Sequence, residues 1–127
     1  MTRPECPFCS PATLCRAVAY HGTVFAVDDK FPVTPGHLLV VPRRHVPDWF
    51  AMNDAERRDA ECLLILLRDR TLAGDSRVTG FNIGMNCGLS AGQLVLHAHI
   101  HLIPRRSGDT VDPSGGVRGV IPARQKY

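Results

Sequence analysis

The sequence predicts an α+β fold in which an antiparallel sheet of about five strands packs against one main helix. Short apolar or alternating stretches have the length and two-residue period of strands, at 14–20, 23–28, 37–41, 78–86 and 93–103. A helical repeat of apolar residues occurs over 53–73. Tight connections at His21-Gly22 and at 87–92 favour antiparallel pairing, because parallel strands need long crossovers.

The helix has clear end signals. Asn53 followed by Glu56 is typical of a capping box, and Gly74 is a common residue just past a helix end. Its apolar residues at helical spacing are Ala60, Leu63, Leu64, Leu67 and Leu72. The run 62–67 is apolar all round, which is wider than one buried stripe requires. This excess predicts a second covered surface, and hence a homodimer that packs through the helix.

Length and composition indicate one small globular domain. We assign residues 1–110 to the domain and 111–127 to an extended C-terminal segment that packs on it. Apolar residues make up 44% of the 127 residues, and the net charge is +3. The chain has no apolar run near the ~20 residues of a membrane span. The charge comes without an aromatic and basic array, which gives little support to nucleic-acid binding.

The N-terminus and the cysteines bear on the compartment. MTRPECPFC lacks the apolar stretch of a signal peptide. Five cysteines in a chain without such a signal argue against a disulfide framework. The expected compartment is therefore the cytoplasm.

Three histidines stand at every second position of a predicted strand, in the stretch 92–105. A strand places His97, His99 and His101 on one face, and the residues between them on a core face. That core face is predicted to hold Leu96, Ala98, Ile100 and Leu102. Three interpretations remain open for the histidines: a solvated polar face, a metal site with His-x-His ligand spacing, or nucleophilic catalysis by imidazole.

The N-terminal Cys6-Pro7-Phe8-Cys9 is half of a common zinc site or a thioredoxin-like redox pair. Redox pairs begin a helix after a strand, and Pro11 without a preceding strand disfavours that interpretation. Structural zinc takes four protein ligands in a tetrahedron. His45 and one member of the histidine strand are candidates for the remaining two.

The run AGQLVLHAHIHLIPR resembles the signature of the histidine triad (HIT) family of nucleotide hydrolases and transferases, as does PGHLLVVPRRH. The resemblance implies a HIT-like fold and attack by His99 on the α-phosphate of a nucleoside phosphoramidate or dinucleoside polyphosphate, through a nucleotidyl-histidine intermediate. It further implies that His101 donates to a phosphate oxygen. His37 would orient this network, and the Gln93 amide would hold an oxygen of the phosphate.

The same resemblance suggests how a purine nucleotide is held. Asp29 is expected on the ribose hydroxyls and Asn86 at the phosphate or ribose, while Phe8 and Val27 flank the base. Leu94 stands where the family often has Ser or Thr, so the leaving-group contact is expected to differ. In the bacterial zinc-containing type of the family, the matching ligands of a structural zinc are Cys6, Cys9, His45 and His97, and no catalytic metal is required.

Two other functions compete with the hydrolase. One is a nucleotide-binding or sensor protein with little turnover, which Leu94 favours. The other is a zinc hydrolase that uses His97, His99 and His101 as ligands and a metal-bound water as nucleophile.

Overall fold

A five-stranded antiparallel sheet forms the centre of the computed structural model, which describes residue 3 and residues 5–127. The strands are β1 (Ala19–His21), β2 (Val24–Asp28), β3 (Leu38–Pro42), β4 (Val78–Gly84) and β5 (Ile100–Arg106). They lie in the order β1-β2-β3-β5-β4, with every neighbouring pair antiparallel. The predicted fold class is confirmed.

Helix α2 (Asp54–Gly74) covers one face of the sheet. Its start is the predicted capping box: Glu56 N–H donates to Asn53 Oδ1 over 2.8 Å, and Asn53 N–H donates to Glu56 Oε1 over 2.9 Å. Ala60, Leu63 and Leu67 of α2 are buried against the sheet. Among the described residues, no helix is long and apolar enough to cross a membrane.

The opposite face of the sheet carries a second, smaller apolar cluster. Phe25, Val27, Leu39 and Val41 are buried there beneath the N-terminal segment, which contributes Phe8. Because β2 and β3 are covered on both faces, their sequences are continuous apolar runs rather than alternating ones. The two faces therefore carry two separate apolar clusters, of which the one against α2 is the larger.

The prediction of a strand over residues 14–20 was wrong for most of that range. Residues 11–15 form a short helix, α1 (Pro11–Cys15), and β1 begins only at Ala19. Ser10 caps this helix by accepting a hydrogen bond from Ala12 N–H, and Pro11 occupies its first turn. Ser-Pro is a helix-start signal, and it outweighs the apolar run that follows.

The histidine strand is also shorter than predicted. Residues 95–97 form bends, and β5 begins at Ile100, so His97 and His99 precede the strand. Ala98 N–H donates to Val46 O over 2.7 Å, which ties this segment to the loop after β3 rather than to a strand ladder. Ala98 and the strand residues Ile100 and Leu102 are buried as predicted, whereas Leu96 is exposed.

Two further expectations concern exposed segments. Leu72 of α2 is exposed rather than in the core, and so are Ile65 and Leu66. The C-terminal segment is not extended: it forms two 3-10 helices, Gly116–Val120 and Pro122–Arg124, beside β4. Gly115 precedes the first of them with φ +86°, a conformation that favours glycine.

Candidate active site and metal centre

Four side chains from three parts of the chain converge on one point. Cys6 and Cys9 come from the N-terminal turn, His45 follows β3 and His97 precedes β5. Their ligand atoms all lie within 4.8 Å of one another. The structure thus brings together the four residues that the sequence suggested as zinc ligands.

The spacing of these atoms fits a tetrahedral ion. Tetrahedral zinc, with bonds of about 2.3 Å to sulfur and about 2.05 Å to nitrogen, separates sulfur from nitrogen by about 3.6 Å and two nitrogens by about 3.3 Å. His97 Nδ1 lies 3.4 Å from Cys6 Sγ and 3.6 Å from Cys9 Sγ. His45 Nδ1 lies 3.3 Å from Cys9 Sγ and 3.2 Å from His97 Nδ1. The donor set and its distances both suit zinc.

His97 is fully buried and has a fixed tautomer. Its Nε2 donates to the carbonyl oxygen of Pro42 over 2.7 Å, which leaves Nδ1 with a lone pair aimed at the two sulfurs. Burial lowers the pKa of His97, so the neutral ring is favoured. A metal-binding histidine commonly has such a backbone acceptor on its other nitrogen.

His99 uses the backbone of His97. Its Nδ1 donates to the His97 carbonyl oxygen over 2.7 Å, so in the neutral ring the lone pair lies on Nε2. The ring of Phe8 packs beside it, with centroids 5.0 Å apart. His99 lines the large cavity on this face of the sheet.

A chain of hydrogen bonds fixes the protons on His37 and His101. Val33 N–H donates to His37 Nδ1 over 3.0 Å, so the neutral His37 ring carries its proton on Nε2. His37 Nε2 lies 2.9 Å from His101 Nδ1 and donates to it, which leaves a proton on His101 Nε2. Burial lowers the pKa of both histidines, although the carboxylate of Asp29 opposes this shift. Both rings are therefore neutral near pH 7.

The residues that the sequence suggested for nucleotide binding line the same cavity: Phe8, Val27, Asp29 and Asn86. Asp29 Oδ1 accepts from Phe31 N–H, while its Oδ2 lies 3.4 Å from His37 Nε2. The carboxylate is thus held beside the histidine pair. Leu94 also lines the cavity and is 90% exposed.

Gln93 does not lie where the sequence suggested. Its side chain is buried, and its Oε1 accepts from Gly88 N–H over 2.8 Å. Its Nε2 donates to the carbonyl oxygens of Pro47 and Val95. The amide thus holds the loop before the histidines together. Because its nitrogen already donates to two backbone carbonyl oxygens, it has no N–H group left for a phosphate oxygen.

The three triad side chains do not converge on one metal. Both ring nitrogens of His97 point away from His99 and His101, one to the cysteines and one to Pro42. The zinc hydrolase with three histidine ligands is therefore contradicted by the geometry.

The sequence analysis did not identify the residues on the far side of the cavity. The whole cavity has a volume of about 1230 Å³. Beyond His101 it is lined by Asn82, Ile103 and Arg105. Ile103 and Arg105 continue the two-residue alternation from His101, which is the signal that could have found them. The segment after residue 109 closes this side with Val117 and Val120.

Comparison with known proteins decides the family. A model described as the HIT domain matches residues 13–108. The chain belongs to the HIT family. A HIT family protein from Bacillus anthracis superposes with a TM-score of 0.76 at 34% identity, covering 85% of this chain and 78% of that one. A Zn-bound histidine triad family protein from Mycobacterium smegmatis has a TM-score of 0.72 at 28% identity, covering 85% and 80%. The four converging ligands fit the zinc-containing type of HIT protein.

Two curated relatives carry names of activities. "AP-4-A phosphorylase" of Mycobacterium tuberculosis is 42% identical over 94 residues, which are 72% of this chain and 47% of the relative. "Bis(5'-nucleosyl)-tetraphosphatase [asymmetrical]" of Schizosaccharomyces pombe is 36% identical over 80 residues, or 61% and 42%. The chain thus spans about half the length of these two relatives.

Proposed function

We propose that this HIT protein is a nucleotide hydrolase that cleaves at the α-phosphate of a nucleoside phosphoramidate or dinucleoside polyphosphate. The observation that carries the proposal is the hydrogen bond from His99 Nδ1 to the His97 carbonyl, at 2.7 Å. It places the lone pair on Nε2 of a ring that lines the cavity. Such a nitrogen is a competent nucleophile for phosphorus near pH 7. The names of the two curated relatives point to the same class of substrate.

The reaction has two displacements at phosphorus. In the first, His99 Nε2 forms a bond to the α-phosphorus as the bond to the leaving group breaks; a leaving nitrogen departs as the amine, with a proton taken from solvent, and a leaving phosphate oxygen departs as the anion. In the second, water attacks phosphorus and the bond to Nε2 breaks, which returns the neutral His99 ring and releases the nucleoside monophosphate, while the proton lost from water goes to solvent. The charge on the phosphoryl oxygens is offset by fixed donors, which need no reorganisation at the moment of reaction.

His101 supplies one of these donors. Because His37 donates to His101 Nδ1, the proton of the neutral ring lies on Nε2, the nitrogen free to meet a phosphate oxygen. The role of His37 is to hold this tautomer through Val33 N–H. Asp29 would accept hydrogen bonds from the ribose hydroxyls and Asn86 would contact the phosphate or ribose. Phe8 and Val27 would flank a purine.

Cys6, Cys9, His45 and His97 would hold a structural zinc. When bound, zinc would fix the N-terminal turn to residue 97 through charge-stabilised thiolate bonds. The side chain of His97 then serves the metal, and its backbone carbonyl serves His99. No step of the two displacements needs a metal-bound water.

We also propose that two copies associate through α2 and the neighbouring edge strand β4. Ile65 of α2 and Ile83 of β4 are about half exposed, at 52% and 55%, and line one shallow surface. Its other lining residues are Trp49, Leu64, Arg57, Arg58 and Glu61. Residues 1–110 would form the domain, with 111–127 completing its cavity. The free cysteines fit a reducing compartment, which supports the cytoplasm as the place of action.

The test is release of AMP from adenosine 5′-phosphoramidate and from diadenosine tetraphosphate, followed by HPLC. We expect His99→Ala to lower kcat by at least about 10³-fold, as loss of a nucleophile does. His21→Ala changes an exposed histidine at the end of β1 and serves as the matched control. Quenching in alkaline denaturant should trap a nucleotidyl adduct on the wild type only, because a phosphorus–nitrogen bond to histidine hydrolyses in acid and survives in base. Equal, slow turnover of wild type and His99→Ala, with AMP still bound, would instead establish a nucleotide-binding protein.

A further inference from the structure

The cavity is larger than one nucleotide needs. Ligand pockets usually measure about 300 to 1,000 Å³, and this one measures about 1230 Å³. The residues proposed for the attacked nucleotide, Phe8, Val27 and Asp29, lie at its β2 side. His101 is on β5, and the unassigned part extends past it to Asn82 on the edge strand β4. A phosphorus at His99 would therefore direct its leaving group toward the β4 side.

Unused hydrogen-bond donors collect at this far side. Arg105 donates from Nε and Nη2 to the two carboxylate oxygens of Asp109, each over 2.8 Å, and from Nη1 to Asn82 Oδ1 over 2.8 Å. A guanidinium has five N–H groups, so two have no partner within the part of the chain that the structure describes. The Asn82 amide nitrogen likewise has no acceptor among those residues, although its oxygen is used. Two side chains thus hold four donors at the cavity wall.

The donors are fixed in place and carry little net charge. The two-point pairing with Asp109 orients the guanidinium and compensates its charge. The hydrogen bonds from Arg105 hold the pKa of Asp109 well below its usual range, so this compensation persists across neutral pH. A compensated donor set suits neutral acceptors, such as ring nitrogens, carbonyls and hydroxyls, better than a phosphate chain, which binds more strongly where the positive charge is not compensated.

The walls around these donors suit a planar ring. Ile103, opposite Asn82 in the strand register, and Val117 of the C-terminal segment present apolar surfaces. Gly116 lies close to this wall, since a Cβ built on it would be 3.4 Å from Asn82 Nδ2. Arg105 lies four residues beyond His101, which is on the order of 13 Å along a strand. That distance exceeds one phosphate and matches a group at the end of a phosphate bridge.

We propose that Asn82 and Arg105 form a subsite for the second nucleoside of a dinucleoside polyphosphate, on the leaving-group side of His99. The inference rests on the proposed function and narrows its substrate class to two-ended nucleotides. Asn82 donates from its amide nitrogen, and Arg105 from its two unpaired N–H groups. Ile103 and Val117 flank the ring.

The experiment compares three substrates that share the attacked adenylyl group. Diadenosine tetraphosphate has a second nucleoside, adenosine 5′-tetraphosphate has the same phosphate chain without it, and adenosine 5′-phosphoramidate has neither. We expect Asn82→Ala to lower kcat/KM about 3- to 10-fold for diadenosine tetraphosphate, the effect of one or two hydrogen bonds, and to leave the other two unchanged. Arg105→Met should act in the same direction. Arg77→Met is the matched control, because Arg77 also pairs with an aspartate but is exposed and lies outside the cavity.

The remaining outcomes separate the two proposals. An equal loss of kcat/KM with diadenosine tetraphosphate and adenosine 5′-tetraphosphate would show a phosphate contact and overturn the nucleoside subsite. No loss with diadenosine tetraphosphate, or an equal loss with all three substrates, would also overturn it. Absence of turnover with every substrate would refute the hydrolase itself. In that case calorimetric binding to His99→Ala decides the subsite: adding Asn82→Ala must weaken diadenosine tetraphosphate about 3- to 10-fold and adenosine 5′-tetraphosphate not at all.

Discussion

Glu56 joins the start of α2 to the loop that carries His45. Its carboxylate is 2% exposed and accepts from Asn53 N–H in the capping box. The same carboxylate accepts from Arg44 Nε over 3.1 Å and from Arg44 Nη2 over 2.8 Å. Arg44 immediately precedes His45 in the chain, so this ion pair fixes the backbone next to a candidate metal ligand.

Replacing this carboxylate should cost a substantial part of the folding free energy. Glu56→Gln keeps the shape and one acceptor oxygen but directs an NH₂ group at Arg44. Breaking a fully buried ion pair costs about 3–5 kcal/mol, and a hydrogen bond to a charged group contributes about 1.5–3 kcal/mol. Because Arg44 remains 46% exposed and can be hydrated, we expect the lower range, a loss of about 2 kcal/mol.

The loss should depend on pH with a definite sign. Burial raises the pKa of Glu56, but the hydrogen bonds from Arg44 and Asn53 outweigh it, and the pKa lies below its ordinary value. A carboxyl with a depressed pKa in the folded state stabilises the protein above its unfolded pKa of about 4.3. That contribution disappears as the pH falls through the folded pKa. The difference between wild type and Glu56→Gln should therefore be full at pH 7 and shrink at pH 3.5.

Urea unfolding followed by circular dichroism, at one fixed protein concentration, measures this difference at both pH values. Asp69→Asn, exposed on the same helix and outside the surface lined by Ile65 and Ile83, is the matched control and should change the free energy of unfolding by less than about 0.5 kcal/mol. The reasoning fails if Glu56→Gln costs no more than Asp69→Asn at pH 7. It also fails if the two pH values give the same difference.

Two other predictions concern metal and assembly. Metal analysis of the purified wild type should find about one zinc per chain. Cys9→Ser should remove most of this zinc and lower the midpoint temperature of thermal unfolding. Cys15→Ser, which replaces an exposed thiol, should do neither. Zinc retained by Cys9→Ser would exclude the four-ligand site. By light scattering at micromolar concentration, the wild type should have a dimer mass and Ile65→Asp a monomer mass, because the interface would then bury a charge in place of an apolar side chain. Val111→Asp, at another exposed apolar position, should leave the dimer intact; a monomeric wild type would contradict this interface.

Local sequence signals predicted the regular elements well where one signal dominated. Asn53 and Glu56 located the start of α2 because both halves of the capping box are visible in the chain. At 11–20 two signals compete, and the Ser10-Pro11 start produced a helix where the apolar pattern suggested a strand. The hydrogen bond from Gln93 to Pro47 was not predictable, because Pro47 belongs to a loop 46 residues earlier. Tertiary contacts of this kind leave no local pattern.

The interruption before β5 explains how three histidines at equal spacing have three different environments. A continuous strand would point all three side chains to one face, where they would share surroundings. The bends at 95–97 instead turn the His97 ring toward Cys6 and Cys9, and leave its carbonyl free to accept from His99. Only His101 lies in the regular strand, where β3 pairs with it through Leu39 and brings His37 within 2.9 Å. The departure from β-structure therefore directs the His97 side chain to the other candidate metal ligands while its backbone sets the tautomer of His99, so a change that straightened 95–97 should disturb both together.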